Sequence, residues 1–401
     1  MRVLDLNTLY IDGGEGGVNT YLREKSRYLT ESGLLDGRSA RHVIVVPGRR
    51  TERTRLEGAT LYTIRSPQLP GNPHHRVLID FPRVRAILRE ETPHIVEVDV
   101  SYLLGHVAAT TLPSVPVVGF YHVDLPRLYT RAGRGWLRSR VSQRTESFAW
   151  SYARYCARPC SRVIVTTRGM REKLEQKRFR SLEVVPLGVN LDLFHPRGAE
   201  AKPGLPGIDP TRHVVLYVGR LGREKDLGVL FAAHRQLSSQ VGSQLVIAGD
   251  GPLRRQIERF ARSCPGVVYA GTCPYGERLA ELYRASDVLA VPGRNETFGL
   301  IVLEALASGI PVVAADEGGP SELCRSGPGL IARAGNPEDF AAKIRCALGW
   351  RCRAAEYRKH VENRFPWSRT FNKLLDVYAL TLEKKIPAGE VLAPEPVVQA
   401  S

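Results

Sequence analysis

The stretch that decides the fold is "DVLAVPGRNETFGLIVLEALASGIPVVAADEGG", residues 287–319. An apolar run ends in a polar loop, a helical pattern begins near Phe298 and Gly299, and a second apolar run begins at Pro311. A strand, a helix and a second strand in this order form the crossover unit of a parallel sheet. The stretch therefore predicts a layered α/β fold.

The same unit recurs on both sides of this stretch. Short apolar runs alternate with amphipathic segments along the 401 residues, a length that exceeds the usual size of a single core. The first set of strand candidates is residues 2–9, 41–48, 94–100, 115–122 and 162–168. The second set is residues 213–221, 244–251, 267–271, 287–293 and 311–319. A segment rich in Pro and Gly, residues 184–210, separates the two sets. We expect two doubly wound Rossmann-like domains facing across a cleft, with ligands at the carboxyl ends of the strands.

These patterns also predict the domain boundaries. We expect a first domain over residues 1–188 and a second over residues 189–366. A C-terminal helix over residues 367–385 is expected to pack back across the domains, and a disordered tail covers residues 386–401.

Composition narrows the class of protein. The chain is 43% hydrophobic with a net charge of +16, and no run of 18 apolar residues predicts a membrane-spanning helix. The seven cysteines are scattered, and the N-terminus lacks the apolar core of a signal peptide, so we expect a cytoplasmic protein with reduced thiols. Residues 1–190 carry 30 Lys and Arg against 18 Asp and Glu, so the first half is expected to face an anionic partner or a membrane surface.

Two glutamates carry the strongest chemical signal. Glu304 is the lone charge in the apolar helical run "LIVLEALA", where a carboxylate is costly unless it is hydrogen-bonded. Glu296 lies in the loop before that helix begins. Two carboxylates beside the amide groups of a helix start suit a phosphate that is flanked by hydroxyl-bearing sugars.

A cationic loop follows another strand in "VLYVGRLGREKDLGVL", residues 215–230. Arg220 and Lys225 supply the positive charge that neutralises a diphosphate without a metal ion. Taken alone, solvated loop cations are the simpler interpretation. A further turn at a strand end, "IAGDGP", lies at residues 247–252.

The glycine-rich loop "IDGGEGGVNTYLRE", residues 11–24, joins the first predicted strand to a helix. It does not match the dinucleotide-binding fingerprint, because Asn19 occupies the position of the third small residue. The loop can still bring backbone amides and a helix N-terminus close to an anion.

Together these motifs resemble the retaining nucleotide-sugar glycosyltransferases of family 4, which have the two-Rossmann-domain GT-B fold. The likeness rests on "GRLGREK", "IAGDGP", the glutamates of "ETFGLIVLE", "PVVAADEGG" and "PLGVNLDLF", and on "GGEGGVNTYL" and "VPVVGFYHVDLPR" in the first half. One departure is Asp226, where the family more often has Gly or Asn.

The resemblance implies roles for individual residues. Arg220 and Lys225 would clamp the diphosphate, Glu304 would anchor the ribose, and Glu296 would contact the transferred sugar. The remaining residues implied to contact the donor are Gly16, Gly17, Phe298, Gly299 and Leu300.

His122 ends the apolar run "VPVVGFY", two residues before Asp124. A lone histidine at a strand end is often structural, but its place in the family's loop favours a position near the sugar. It would orient the sugar or the acceptor, with Asp124 beside it, while the leaving phosphate oxygen helps to deprotonate the acceptor.

We therefore expect transfer of a hexose from a nucleoside diphosphate sugar, with GDP-mannose weakly favoured, to a hydroxyl acceptor such as a glycolipid or a polysaccharide intermediate. No cofactor and no metal ion are expected. The alternatives are another two-Rossmann sugar enzyme, such as an epimerase or a phosphorylase, and a nucleic-acid-binding protein. The last would need interleaved aromatic and basic strands or a helix-turn-helix, and the sequence has neither.

The basic charge is concentrated between Arg127 and Arg162, where nine arginines accompany a single acid, Glu146. The apolar residues interleaved with them are Trp136, Leu137, Phe148 and Trp150. This composition predicts reversible binding to the anionic inner face of the cytoplasmic membrane. A basic helix that is merely solvated, or that binds a soluble anionic acceptor, is the competing interpretation.

Overall fold

The computed structural model describes residues 1–12, 14, 16–31, 41–69, 72–124, 126, 140–198 and 204–383. Its two large sheets contain the two predicted sets of strands, one in each half of the chain, together with further strands that were not predicted. The expected α/β fold of two Rossmann-like units is confirmed. The predicted tail and part of the predicted linker, residues 199–203, lie outside the described residues.

The eight strands of the first sheet are β1 Arg2–Leu6, β2 Arg41–Gly48, β3 Glu52–Leu56, β4 Ala59–Arg65, β7 Ile95–Asp99, β8 Val117–Phe120, β9 Arg162–Val165 and β10 Leu182–Val184. They lie in the order β10-β9-β8-β7-β1-β2-β4-β3. All neighbouring strands are parallel except β3 and β4. Two short strands, β5 Gln68–Leu69 and β6 Asn72–Arg76, form a separate antiparallel pair.

The six strands of the second sheet are β11 His213–Val218, β12 Ser243–Ala248, β13 Val267–Gly271, β14 Val288–Val291, β15 Val312–Ala315 and β16 Leu330–Ala332. They are all parallel and lie in the order β13-β12-β11-β14-β15-β16. Numbered within the sheet, this order is 3-2-1-4-5-6, which is typical of dinucleotide-binding domains.

Helices connect the strands of both sheets. Those of the first half are α1 Gly17–Glu31, α2 Phe81–Glu91, α3 Leu104–Thr111, α4 Arg140–Ala157 and α5 Arg168–Gln176. Those that follow are α6 Leu227–Val241, α7 Arg254–Ser263, α8 Glu277–Arg284, α9 Leu300–Ala307, α10 Gly319–Arg325, α11 Pro337–Leu348, α12 Ala354–Arg364 and α13 Trp367–Glu383.

The hairpin of β3 and β4 departs from the purely parallel sheet that the sequence suggested. Its loop has two residues, Glu57 and Gly58, with φ angles of 45° and 87°. Positive φ at both central residues is the geometry of a tight hairpin turn, and a two-residue loop cannot return a strand in the parallel direction. The exposed, charged strand β3 therefore closes one edge of the sheet.

One apolar cluster runs through both halves of the molecule. It includes Val3 and Ile44 from the first sheet, Val214 and Leu216 from the second, and Phe371 from α13. Each such side chain contributes roughly 1.5–3 kcal/mol by its burial. The two sheets are thus joined by shared core packing as well as by the covalent chain.

The chain crosses between the halves at two adjacent places. The backbone N–H of Val189 donates to the carbonyl of Phe365 at 2.9 Å, and Val189 forms an isolated parallel bridge with Pro366. Beyond this point α13 returns to the first half, where the hydroxyl of Tyr28 on α1 donates to Asn372 at 2.5 Å. The second crossing thereby fixes the C-terminal helix against the first helix.

Candidate active site

The predicted site residues lie at the carboxyl ends of strands in both sheets. In the second sheet the strand order changes direction between β11 and β14, which opens a crevice at that point. Arg220 follows β11 and Glu296 follows β14. The first sheet has its own change of direction between β1 and β7, and the glycine-rich loop follows β1 there.

Close backbone packing shapes the loop after β11. A Cβ atom on Gly249 would lie 1.9 Å from the carbonyl oxygen of Gly219, so this position requires glycine. The N–H of Leu221 donates to the carbonyl of Asp250 at 2.8 Å. The motif "IAGDGP" is therefore the support on which the Arg220 loop rests.

The two predicted diphosphate cations are each paired with a carboxylate. Nη1 of Arg220 lies 2.6 Å from Oε1 of Glu224, and Nζ of Lys225 contacts Oε1 of Glu296. The structure thus places Lys225 beside Glu296, and the implied roles of Arg220, Lys225 and Glu296 towards a donor stay predictions. It also adds Glu224, to which the sequence interpretation gave no role.

Asp226, the departure from the family pattern, is accommodated in two ways. Its φ of 50° lies in the left-handed region, where Asn, Asp and Gly are best tolerated. Its carboxylate pairs with Nε of Arg294 at 3.1 Å, while Nη1 of Arg294 lies 3.8 Å from Glu317. The extra acid beside the phosphate loop is therefore balanced by a local cation.

The helix α9 begins beside Phe298 and Gly299, as predicted, and the "DEGG" motif packs against the loop before it. Gly299, with φ of 96°, precedes the helix, and Phe298 is buried beneath it. The N–H of Gly319, from "DEGG", donates to the carbonyl of Glu296 at 2.8 Å. The loop that carries Glu296 is thereby fixed on both of its sides.

Glu304 points into the protein and is 6% exposed. The hydroxyl of Tyr283 on α8 donates to its Oε2 at 2.7 Å, which supplies the partner that the sequence required. Burial raises the pKa of the Glu304 carboxyl to about 7, although the hydrogen bond from Tyr283 opposes that rise. This group therefore sits close to its titration midpoint at neutral pH.

The glycine-rich loop is held by Asn19, the residue that breaks the dinucleotide fingerprint. Its Nδ2 donates to the carbonyls of Ile11 at 2.8 Å and Gly14 at 3.0 Å, and its Oδ1 accepts from the N–H of Ile11 at 3.0 Å. A Cβ atom on Gly17 would lie 3.5 Å from the side chain of Leu300. Gly17 and the start of α9 therefore meet between the two halves.

His122 lies just beyond β8, with its ring stacked on Phe120 at 4.0 Å and its edge toward Tyr21. Its Nε2 atom is buried and has no hydrogen-bond partner among the described residues. Burial lowers the pKa of the His122 imidazole to about 3, with Lys25 contributing and Asp5 opposing. The ring is therefore neutral at physiological pH, which suits hydrogen bonding to a ligand better than storage of a proton.

Asp124 has a partner of its own in the first half. Its carboxylate pairs with Nζ of Lys173 on α5, and the hydroxyl of Tyr121 lies 3.4 Å from it. The side chain is 5% exposed. Its position near the acceptor stays a prediction, and in this structure it ties α5 to the loop after β8.

Three hydrogen-bonding residues that sequence reasoning missed connect the halves. Oγ1 of Thr297 donates to the carbonyl of His122 at 2.7 Å, and Oγ1 of Thr166 donates to the carbonyl of Thr297 at 3.2 Å. The carboxylate of Glu322 on α10 accepts the N–H groups of residues 168 and 169, each at 2.8 Å, at the start of α5. These partners are far apart in the chain, so no local pattern indicated them.

The described part of the arginine-rich segment is residues 140–162, most of which form α4. Residues 127–139, with Trp136 and Leu137, lie outside the described residues. Trp150 is 4% exposed and packs in the core, so its expected role as an exposed anchor is wrong. Phe148 is 74% exposed, and Tyr152 and Tyr155 continue an exposed aromatic stripe at helical spacing. Among the helices that the structure describes, none is long and apolar enough to cross a bilayer.

A cavity of about 230 Å³ lies between α4 and the ends of β7 and β8. Its mostly apolar wall includes Tyr102, Tyr121 and Tyr152. Tyr152 belongs to the exposed stripe and Tyr121 follows β8, so the cavity lies between the stripe and the end of that strand.

Comparison with protein families gives two matches. The family described as "Glycosyltransferase Family 4" matches residues 15–193, and the one described as "Glycosyl transferases group 1" matches residues 200–364. The matched segments include every predicted site residue.

Curated relatives include a GDP-mannose-dependent alpha-(1-6)-phosphatidylinositol dimannoside mannosyltransferase of Mycobacterium tuberculosis, 31% identical over 83% of this chain and 86% of that protein. A GDP-mannose-dependent alpha-mannosyltransferase of Corynebacterium glutamicum is 26% identical over 96% of this chain and 91% of that protein. The sulfoquinovosyl transferase SQD2 of Arabidopsis thaliana is 30% identical, but the match spans 61% of this chain and only about half of that protein, 48%.

Solved structures share the architecture. Sucrose-phosphate synthase of Thermosynechococcus elongatus superposes with a TM-score of 0.75 at 22% identity, over 96% of this chain and 100% of that one. Anabaena HepE in complex with UDP-glucose gives a TM-score of 0.69 at 18% identity, over 95% and 100% of the two chains. At these identities the likeness establishes the fold.

Proposed function

The chain belongs to the family 4 glycosyltransferases of the GT-B fold, and from that premise we propose that it is a retaining hexosyltransferase that uses GDP-mannose and a lipid-linked hydroxyl acceptor. The observation that carries the donor half of this proposal is the cluster of Arg220, Lys225, Glu296 and Glu304 around the start of α9. The mannose donor is supported by two relatives whose names specify GDP-mannose.

In the proposed reaction the acceptor hydroxyl oxygen bonds to the anomeric carbon as the bond from that carbon to the β-phosphate oxygen breaks. The nucleoside diphosphate leaves, and its departing oxygen takes the proton of the acceptor. Arg220 and Lys225 stabilise the charge that develops on this oxygen, aided by the N-terminus of α9. These groups make a metal ion unnecessary, so we expect transfer to proceed unchanged in EDTA.

The carboxylates act on hydroxyl groups of the donor. Once Lys225 turns to phosphate, Glu296 is free to accept hydrogen bonds from the transferred sugar. Glu304 accepts from the ribose, and its acceptor capacity remains open because Tyr283 is its single side-chain donor among the described residues. His122 offers Nε2 to a sugar hydroxyl as a neutral ring.

The decisive experiment separates the transferase from an epimerase. Thermal-shift measurements with GDP-mannose, UDP-glucose and ADP-glucose identify the donor, because a ligand that binds the folded state raises Tm. Donor turnover is then measured with and without a lipid extract that supplies acceptors, in the presence and absence of EDTA. The proposal expects turnover that depends on the extract and is insensitive to EDTA. Epimerisation without acceptor, or a requirement for magnesium or manganese, contradicts it.

The lipid-linked acceptor is supported by α4 and by the basic charge of its segment. Phe148 and Tyr155 project from a helix whose flanking sequence is rich in arginine, and Tyr152 connects the stripe to the apolar cavity. Aromatic and basic residues together suit the surface of an anionic bilayer, where each cation contributes on the order of 1 kcal/mol.

Liposome sedimentation tests this surface. Recovery with anionic vesicles should exceed recovery with neutral ones at low salt, and it should fall as salt screens the attraction. Phe148→Ser and Tyr155→Ser should weaken binding, whereas Ile79→Ser, at an exposed apolar residue outside the stripe, should not. Equal recovery with both vesicle types removes the membrane proposal and leaves the transferase proposal intact.

A further inference from the structure

Both cations of the proposed diphosphate clamp are occupied by carboxylates in this structure. Glu296 contacts Lys225, and Glu224 lies 2.6 Å from Arg220. Glu296 has a proposed task with the transferred sugar, but Glu224 has none. Glu224 is therefore a carboxylate without a proposed task, placed on the arginine that is proposed to bind the donor diphosphate.

Glu224 is folded back over its own loop. It lies in the short 3-10 turn Arg223–Lys225, and its side chain is 20% exposed. A Cβ atom on Gly222 would lie 2.1 Å from Oε1 and 2.3 Å from Oε2 of Glu224. The absence of a side chain at Gly222 therefore gives the carboxylate its place beside Arg220.

Four charged side chains lie close together at the end of β11, namely Arg220, Glu224, Lys225 and Glu296. Burial raises the pKa of the Tyr217 hydroxyl well above its usual value, the carboxylates of Glu296 and Glu224 raise it further, and Arg220 opposes them. The hydroxyl of Tyr217 donates a hydrogen bond to the carbonyl of Arg220 at 2.9 Å, which fixes the tyrosine beneath the four charged side chains.

Arg220 and Lys225 are each paired with a carboxylate, so neither cation is fully available to a diphosphate. A carboxylate and a phosphate each present a pair of oxygens to a guanidinium group, so they compete for the same donors. Arg220 can therefore not give its full set of N–H groups to a phosphate while Glu224 keeps one of them.

We propose that Glu224 is an internal placeholder for the donor diphosphate, because its carboxylate occupies Arg220 while no diphosphate is bound. The carboxylate leaves Arg220 when the donor binds, and its return helps to release the nucleoside diphosphate after transfer. The proposal rests on the proposed function, because it assigns a regulator of affinity to the same donor site. As a consequence, the donor site binds a diphosphate more weakly than Arg220 and Lys225 alone would, and the nucleoside diphosphate product is released faster.

Two variants test the placeholder in different ways. Glu224→Gln removes the charge, and Gly222→Ala keeps the charge but displaces the carboxylate from Arg220. Gly222 has φ of −117°, a conformation open to alanine. The matched control is Glu175→Gln, because Glu175 pairs with Arg171 at the same i,i+4 spacing and at 2.8 Å on α5. Melting temperatures establish that each variant is folded.

Calorimetric titration with GDP, UDP and inorganic pyrophosphate at low ionic strength supplies the measurement. Both variants should bind the diphosphate that the wild type prefers about fivefold more tightly, as expected for release of a partly exposed ion pair. Product inhibition by that nucleotide should strengthen by the same factor, and the control should match the wild type.

Each other outcome has a distinct meaning. If the wild type binds a diphosphate and Glu224→Gln binds it equally or more weakly, the placeholder is overturned and Glu224 instead orients Arg220. If neither the wild type nor the variants bind any of the three probes, the proposed donor site fails and the placeholder with it. Binding by the variants alone supports the placeholder.

Discussion

Two of the regions that bury carboxylates in this molecule partner them in opposite ways. In the first half, Asp5 and Glu97 share the ammonium group of Lys25, whose Nζ lies 2.8 Å from Asp5 and 3.2 Å from Glu97. Further hydrogen-bond donors complete the set, namely His42 on Asp5, and Tyr21 and Tyr378 on Glu97. In the second half, Glu304 is equally buried but receives one side-chain hydrogen bond, from Tyr283.

The difference shows in the titration of Asp5 and Glu304. Burial acts to raise the pKa of Asp5, but the charges of Lys25 and His42 overcome it and hold that pKa below its usual value. Burial raises the pKa of Glu97, and Lys25 opposes that rise. Among the described residues no cation opposes it for Glu304, whose pKa is raised to about 7. A carboxylate that the fold satisfies completely is a structural element, whereas one left short of partners is available to a ligand.

The largest effect should come from removing the ligand-facing groups. Glu304→Ala and Arg220→Ala should each lower kcat/KM by about 100-fold or more, because each removes a charge-assisted contact to the donor. Their Tm values should stay near that of the wild type, since Glu304 contributes no ion pair to the fold. Arg171→Ala, in the matched pair on α5, is the control. Near-normal transfer by either variant at saturating donor contradicts the donor-site assignment.

The opposite pattern is expected for the first region. Lys25→Met leaves Asp5 and Glu97 as uncompensated buried charges, which should lower the free energy of unfolding by about 3–5 kcal/mol. The exposed Lys359→Met is the control in a urea titration. The variant's activity per folded molecule should change only a few-fold. A free energy of unfolding like that of the wild type would remove the contrast between the two regions.

The pH dependence of donor binding should expose the raised pKa of Glu304. Ribose hydroxyls favour the ionised carboxylate, so affinity should rise by up to about tenfold per pH unit below pH 7 and level off above it. Tyr283→Phe removes the bond that lowers this pKa and should move the midpoint to higher pH. In Glu304→Gln the dependence should vanish. In the donor-free protein the same group makes stability fall as pH rises from 4.5 to about 7.

The smallest expected effect concerns closure of the halves. Thr297→Val removes the hydrogen bond to the His122 carbonyl and should raise KM for the donor by about fivefold, with kcat changed less. Thr110→Val removes a bond of the same 2.7 Å length inside α3 and is the control. X-ray scattering should show a larger radius of gyration for donor-free Thr297→Val than for the wild type. Identical KM values and scattering profiles argue against this contact as part of closure.

Local patterns predicted most of the fold. The ten apolar runs correspond to parallel strands with a continuous apolar sequence, and all of these strands except the edge strand β13 are largely buried. One unpredicted strand, β4, is seven residues long and largely buried, so its pattern was overlooked. The other unpredicted strands are short, as β10 and β16 are, or charged, as β3 is. Their positions depend on edge pairing with strands already placed, which no local periodicity encodes.

Local sequence was enough to predict the two Rossmann-like halves, the cationic loop that carries Arg220 and the isolated acid Glu304. Each of these follows from residues close together in the chain, where periodicity, glycine and an unmatched charge have direct physical consequences. Only the tertiary structure decided that Tyr283 partners Glu304, that Glu224 occupies Arg220, that Trp150 is buried, and that Thr297 meets His122. The contacts of Glu304 and Thr297 join segments that the fold brings together, whereas Glu224 lies four residues from Arg220 and meets it through the turn between them. Burial and hydrogen bonding depend on the atoms that surround a group rather than on its neighbours in sequence.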